Sequence, residues 1–151
     1  MLFIEGMLCP LCNNKIIEGD EITEFPPIIG NRNDPLWVLS DAVTHKHCYE
    51  SFPSKNQMEY IIQLYIDSKN KGKKCDLCGE LILLPDDHFS LGFLAITEPL
   101  ADYNFLQVHK KCISYMRQRE ELLDLLKRLR DSGEWNGAGI DYLINTIEVN
   151  I

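Results

Sequence analysis

The chain has 151 residues, 45% hydrophobic and 25% charged, with a formal net charge of −8. Such proportions belong to a folded globular protein and exclude global disorder. The acidic balance argues against nucleic acid as the main partner, because phosphate binding relies on clustered Lys and Arg; it suits a partner with a basic face.

Residues 2–8 read as a short extended lead-in. The opening Met1-Leu2-Phe3-Ile4-Glu5 lacks the basic and apolar regions of a secretory leader. No stretch approaches the roughly 18 apolar residues of a membrane span. The expectation is a cytoplasmic address with no membrane contact, where thiols stay reduced. Cys9-Pro10-Leu11-Cys12 follows, then Asn13, a residue type that tolerates a left-handed backbone. Alternation over Lys15–Ile17 and Glu21–Phe25, around Glu18-Gly19-Asp20, predicts a β-hairpin. Residues 30–35 are a loop, Leu36–Leu39 reads as a strand, and Asp41–Thr44 leads into His45-Lys46-His47-Cys48. A helix starting at His45–Cys48 would be interrupted by Pro53. A longer one from Ser54 carries Met58, Ile61, Ile62, Tyr65 and Ile66 on one face, and Asn70–Lys74 ends it.

The plan then repeats. Cys75-Asp76-Leu77-Cys78 is followed by Gly79; Leu81–Leu84 and Phe89–Phe93 flank the turn Pro85-Asp86-Asp87; Phe105–Val108 feeds His109-Lys110-Lys111-Cys112. A helix is predicted from about Lys110 to Arg130, with Leu122, Leu125, Leu126 and Leu129 on its stripe, Met116 further back, and Ser132-Gly133 as its stop. Residues 134–151 form a tail with a short helix over Ile140–Ile147. The knuckle cysteines are 66 residues apart in the two copies and the His-x2-Cys pairs 64 apart, which marks a duplication with a two-residue loop difference. The expected class is α+β, with a first unit over 1–70, a second over 71–132 and a tail over 133–151 packed on the body.

Each copy reads C-x2-C … H-x2-C and together they use all six cysteines. Thiolate and imidazole suit Zn2+, which takes four ligands tetrahedrally. Two cysteines on a tight turn and a His–Cys pair on one helical turn supply four corners. The candidate ligands are Cys9, Cys12, His45 and Cys48 for one zinc and Cys75, Cys78, His109 and Cys112 for the other. Closed coordination marks two structural zincs, since a catalytic zinc keeps a position open. His47 competes with His45, but Lys111 fills its slot in the second copy, which makes His47 an exposed neighbour. His88 faces Ile22 in the alignment of copies and reads as a surface histidine. The pairing stays open: sequential use gives two Cys3His sites, whereas cross-braced use, as in RING domains, gives an all-cysteine site and a Cys2His2 site. The interposed helix favours the sequential arrangement.

Knuckle, hairpin and ligands at the head of a helix resemble treble-clef and LIM-type zinc modules in tandem, over roughly residues 7–55 and 73–118. LIM domains hold two zincs per copy and this chain has ligands for one, so the likeness is to half of that module. Cys9-Pro10-Leu11-Cys12, the turn at Glu18–Ile22, Asp34-Pro35-Leu36 and Ser40–Cys48 also look like uncharacterised bacterial zinc-binding proteins. Some small acidic proteins of that sort are immunity proteins of polymorphic or contact-dependent toxin systems. That resemblance implies neutralisation of a toxin by tight binding.

Three function classes follow. Catalysis would need His47 or His88 to join Asp41, Asp86 or Asp87, and neither histidine sits in a nuclease pattern; the expectation is no enzyme. A zinc-finger nucleic-acid-binding or regulatory protein is the alternative. It would use Lys69–Lys74, Lys110-Lys111, Arg117, Arg119, Lys127, Arg128 and Arg130, where interleaved acids suggest a salt-bridged exposed face instead. The leading class binds a protein partner, a basic toxin domain. Its contacts would be Glu18, Asp20, Glu21, Glu24, Asp86 and Asp87, joined by Trp37 and Tyr103 if exposed; the competing reading packs Trp37 in the core.

Overall fold

A computed structural model describes residues 3–150; Leu2 of the lead-in and Ile151 of the tail lie outside the described residues. The chain is a small α+β protein. In order it forms β1 (Ile22–Glu24), β2 (Val43–His45), α1 (Lys46–Glu50), α2 (Lys55–Asn70), β3 (His88–Ser90), β4 (Gln107–His109), α3 (Arg119–Ser132) and α4 (Gly139–Val149). Short 3-10 turns intervene at Trp37–Leu39, Pro85–Asp87, Leu100–Tyr103 and Lys110–Tyr115. Two antiparallel ribbons, β1–β2 and β3–β4, share one register: Ile22 stands opposite His45, and His88 opposite His109. The alignment of copies inferred from cysteine spacing is therefore also the alignment of strands.

The predicted hairpins are corrected. The apolar alternation is real, but its two halves take different partners. Lys15–Ile17 folds back on the lead-in: Leu8 bridges Lys15, and the Ile16 N–H donates to Met7 O at 2.7 Å. In the second copy Lys74 bridges Leu81, and the Ile82 N–H donates to Lys73 O at 2.8 Å. With that backbone engaged, β1 and β3 pair instead with the strands that carry the ligand histidines.

Leu36–Leu39 is no strand. Asp34 Oδ1 accepts the Leu36 N–H at 2.8 Å and Asp34 O accepts the Trp37 N–H at 2.9 Å, which coils the chain after Asp34-Pro35. The coil buries Leu36 and Leu39, three residues apart, and turns Trp37 outward at 43% exposure; Trp37 is not a core residue. The helix over Lys110–Arg130 is likewise two pieces. The backbone becomes extended at Met116 (ψ 119°), and α3 starts only at Arg119. The kink lets Ile113 and Met116 stay in the core while α3 re-aims Leu122, Leu123 and Leu126 at α4. In the first copy the same break between α1 and α2 contains Pro53; the second copy has no breaker there. The helix from Ser54 forms as α2, burying Met58 and Ile61 but leaving Ile66 exposed, and the tail helix forms as α4.

One core joins the second copy to the tail, from Ile82 and Phe89 through Leu126 to Trp135, Ile144 and Ile147. Another, around Phe25, Leu39, Met58 and Ile61, belongs to the first copy but also takes in Phe93 of the second, beside a parallel bridge between Ile29 and Phe93. The turn after α3 is fastened to the first copy's loop. The Arg32 N–H donates to Asn136 O at 2.7 Å, Asn33 Nδ2 to Gly133 O at 2.8 Å, and the Asn136 N–H to Asn31 Oδ1 at 2.9 Å. Gly137, at φ +155°, passes so close that a Cβ there would lie 2.7 Å from Gly30 O.

Both the backbone angle and the contact forbid a side chain at that point. Gly137→Ala should lower unfolding free energy by about 2 kcal/mol, read by urea denaturation. A variant as stable as the parent would mean the clamp contributes nothing.

Candidate metal centres

Each centre begins with a knuckle closed by two backbone hydrogen bonds. In the first, the Cys9 N–H donates to Asn14 O and the Asn13 N–H to Cys9 O, both at 2.8 Å. In the second, the Cys75 N–H donates to Glu80 O and the Gly79 N–H to Cys75 O, both at 2.9 Å. The turn needs a left-handed residue after its second cysteine, and Asn13 (φ 61°) and Gly79 (φ 77°) both adopt that conformation. The remaining ligands come from the junction of strand and helix. His45 ends β2 and precedes α1; His109 ends β4 and precedes the 3-10 turn; both have extended backbone near φ −62°, ψ 138° within a degree or so. Cys48 and Cys112 follow three residues later, on the same face of the first turn.

The side chains gather copy by copy. Cys9, Cys12, His45 and Cys48 form one group and Cys75, Cys78, His109 and Cys112 the other, with one ligand atom from each residue and all atoms of a group within 4.8 Å of one another. Among the described residues no cross-braced set is assembled. His45 Nδ1 lies 3.4 Å from Cys12 Sγ and 3.9 Å from Cys48 Sγ, and His109 Nδ1 lies 3.5 Å from Cys78 Sγ. A tetrahedral ion with ordinary Zn–S and Zn–N bonds requires S···N edges of about 3.6 Å. The donor sets therefore fit one metal ion each, and their chemistry fits Zn2+.

The protonation pattern points the same way. Burial pushes the Cys9 thiol up, but N–H groups of His45, Leu11 and Cys12 and the Cys12 side chain together bring it down to about 7. Burial also raises Cys75, against N–H donors from Cys78, His109 and Leu77 and the His109 side chain, which bring it to about 6. These backbone donors, turned inward by the knuckle, make the innermost cysteine of each copy a ready thiolate. Cys48 and Cys112 move oppositely, to about 11 and about 12, through burial and then the neighbouring sulfurs. Burial lowers His45, but Cys12 and Cys9 more than offset it and hold its imidazole above the ordinary histidine range. Three thiolates at this spacing repel one another; a dication at the centre removes the conflict.

Beyond the ligands, each histidine is held from its far side. His45 Nε2 lies 3.3 Å from Asp20 Oδ2, and that oxygen also accepts the Ile17 N–H at 2.9 Å. His109 Nε2 lies 3.3 Å from Leu81 O and 3.8 Å from Asp87 Oδ2. A carboxylate behind a ligating imidazole fixes its orientation and raises its basicity. Sequence reading assigned Asp20 and Asp87 to a partner surface; each lies within two residues of the start of a strand whose first residue faces a candidate ligand histidine, although in the alignment of copies Asp20 matches Asp86.

His47 is exposed and stacks on His45 with ring centres 5.3 Å apart, and it joins neither group. His88 is half-buried, with Nε2 3.2 Å from Gln107 Oε1. Glu18, Glu21, Glu24 and Asp86 are exposed, and Tyr103 is buried. The basic residues of α3 meet acids: Arg130 lies beside Asp131 and Asp141, and Lys127 reaches Glu148 of α4 at 2.5 Å. No helix among the described residues is long and apolar enough to cross a membrane. Comparison with protein-family models, curated proteins and solved structures gives no match.

Asp20→Asn removes the charge behind His45 but keeps an oxygen for Ile17. It should lower metal affinity of the first centre by about 10- to 100-fold and leave the second unchanged, measured by competition with a chromophoric chelator. Equal loss at both centres, or none, would contradict the assignment.

Proposed function

We propose that the chain is a zinc-stabilised protein-interaction module built from two tandem treble-clef-like units, and specifically an immunity protein that neutralises a basic toxin domain by tight binding. The observation that carries the first part is the closed donor set: each group supplies all four corners from the protein, which leaves a zinc structural rather than catalytic. This reading gives the metals the task of folding two small units and gives the chain no catalytic step. Structural zinc in such units contributes about 10–16 kcal/mol of apparent binding energy, which becomes folding energy.

The partner reading rests on charge and on one exposed aromatic. Glu18, Glu21 and Glu24 stand exposed around the first ribbon, and Trp37 offers a large ring at the surface of the same copy. An acidic face speeds encounter with a basic partner, and an aromatic anchor holds it. Asp20 and Asp87 are occupied with the histidines, so the candidate contacts narrow to the other acids, Asp86 included. Tyr103, being buried, is removed from them.

Elemental analysis should find about two zinc ions per chain, and chelation should abolish the folded circular dichroism spectrum. A folded metal-free chain would end the structural reading. For the partner, mixing with a basic toxin domain, sought among the products of neighbouring genes, should give a stable complex and abolish toxin activity. Glu21→Lys with Glu24→Lys should slow association by about tenfold at low salt. No complex with that domain would sink the neutralisation reading while leaving the zinc reading intact.

A further inference from the structure

We propose that the cleft between the two copies is a binding site for a small aromatic phosphomonoester. Neither the metal centres nor the acidic partner surface uses this cleft. It encloses about 350 Å³, between the end of α2 with its following linker on one side and the β3–β4 ribbon on the other. That volume is at the small end of ligand pockets, and junctions between units are where such pockets concentrate.

Its charge runs against that of the molecule. Lys69 and Lys73 line it, and no carboxylate does, in a chain whose net charge is −8. Neither lysine has an acidic partner among the described residues. Asp76, which accepts the Gln107 N–H at 2.9 Å, is already paired with Lys71. Lysines at a helix end commonly do no more than offset the helix dipole. Here two further observations point to a ligand.

The first is how the copies diverge. In the first copy the ribbon carries Ile22 and Val43, both packed in an apolar cluster. At the matching positions the second copy carries His88 and Gln107, and both line the cleft. Gln107 is buried; its amide nitrogen donates to Gly72 O, which leaves Oε1 facing His88 Nε2. Nε2 therefore carries a proton, and Nδ1 is the ring nitrogen without a partner among the described residues. A duplicated scaffold that stands with two apolar residues holds instead a braced histidine in a cleft that two lysines also line. The second observation is the apolar wall. Tyr65 and Phe105 line the same cleft edge-to-face, with ring centres 6.1 Å apart. Lys69 Nζ stands over the Tyr65 ring, 5.1 Å from its centre, which puts the cation beside the aromatic wall. Cations recognise the oxyanion, and Phe105 and Ile28 offer apolar surface to a flat body.

The test is an NMR titration of the full, metal-loaded chain at low ionic strength with phenyl phosphate, inorganic phosphate and phenol. Phenyl phosphate should give saturable shifts confined to residues of the cleft, with inorganic phosphate weaker by about tenfold and phenol weaker still. Lys69→Gln with Lys73→Gln, both at exposed positions, should weaken phenyl phosphate by on the order of tenfold or more. His88→Ile should also weaken it while metal content stays that of the parent. Absence of saturation at about 10 mM phenyl phosphate, or an affinity unchanged in the double lysine variant, overturns the site. Equal affinity for inorganic phosphate overturns its aromatic character. Because the partner reading does not enter, it can fail without touching this result.

Discussion

Three thiols and one imidazole brought within 4.8 Å are the constraint on which the rest of the molecule depends. Without a cation the arrangement is divided against itself. The backbone N–H groups that surround Cys9 and Cys75 bring those thiols down, while burial and then the neighbouring sulfurs push Cys48 and Cys112 up. With a cation all eight ligands agree, and four separated chain segments become two fixed points. The knuckles meet there on one side, and β2 and β4 with the helical turns that follow them on the other. Strands of three residues have no stability of their own; β2 and β4 end on a candidate ligand, and β1 and β3 are held by pairing with them.

Duplication gives the two centres one plan and lets their surroundings differ. Backbone hydrogen bonds, strand register and the dihedral angles of the ligand histidines recur almost unchanged. What varies is which residues the plan carries outward. The first copy presents Glu18, Glu21, Glu24 and Trp37, and fills the inner side of its ribbon with Ile22 and Val43. The second puts His88 and Gln107 at those inner positions. Function in a repeated scaffold is sought at such differences, because what is shared is explained by folding.

Much of this was legible in the residues. The gathering of eight Cys and His side chains into two groups, the left-handed slot at Asn13 and Gly79, the α2 and α4 helices and the matching of Ile22 with His88 all follow from spacing and local chemistry. The misreadings share one cause. Alternation over Lys15–Phe25 states that the backbone is extended, but not that Lys15–Ile17 would pair with the lead-in and β1 with β2, because pairing partners are a tertiary choice. Leu36–Leu39 is apolar at a spacing of three as well as two, and the Asp34-Pro35 start decided for the coil. The kink at Met116 carries no proline or glycine; with it, Cys112, Ile113, Met116 and Leu122 all reach one core. Asp20 and Asp87 looked like surface charge because their histidine partners are distant in sequence.

The clamp between the loop at residues 31–33 and the turn at residues 133–136 joins segments about 100 positions apart. On a ribosome adding about 5–20 residues per second, the loop therefore waits some 5–20 seconds for its mate. During that interval the first unit has its own donor set complete while one of its edges stays open. Closure of the clamp is thus a late event in the life of the nascent chain, and translation speed sets when it comes.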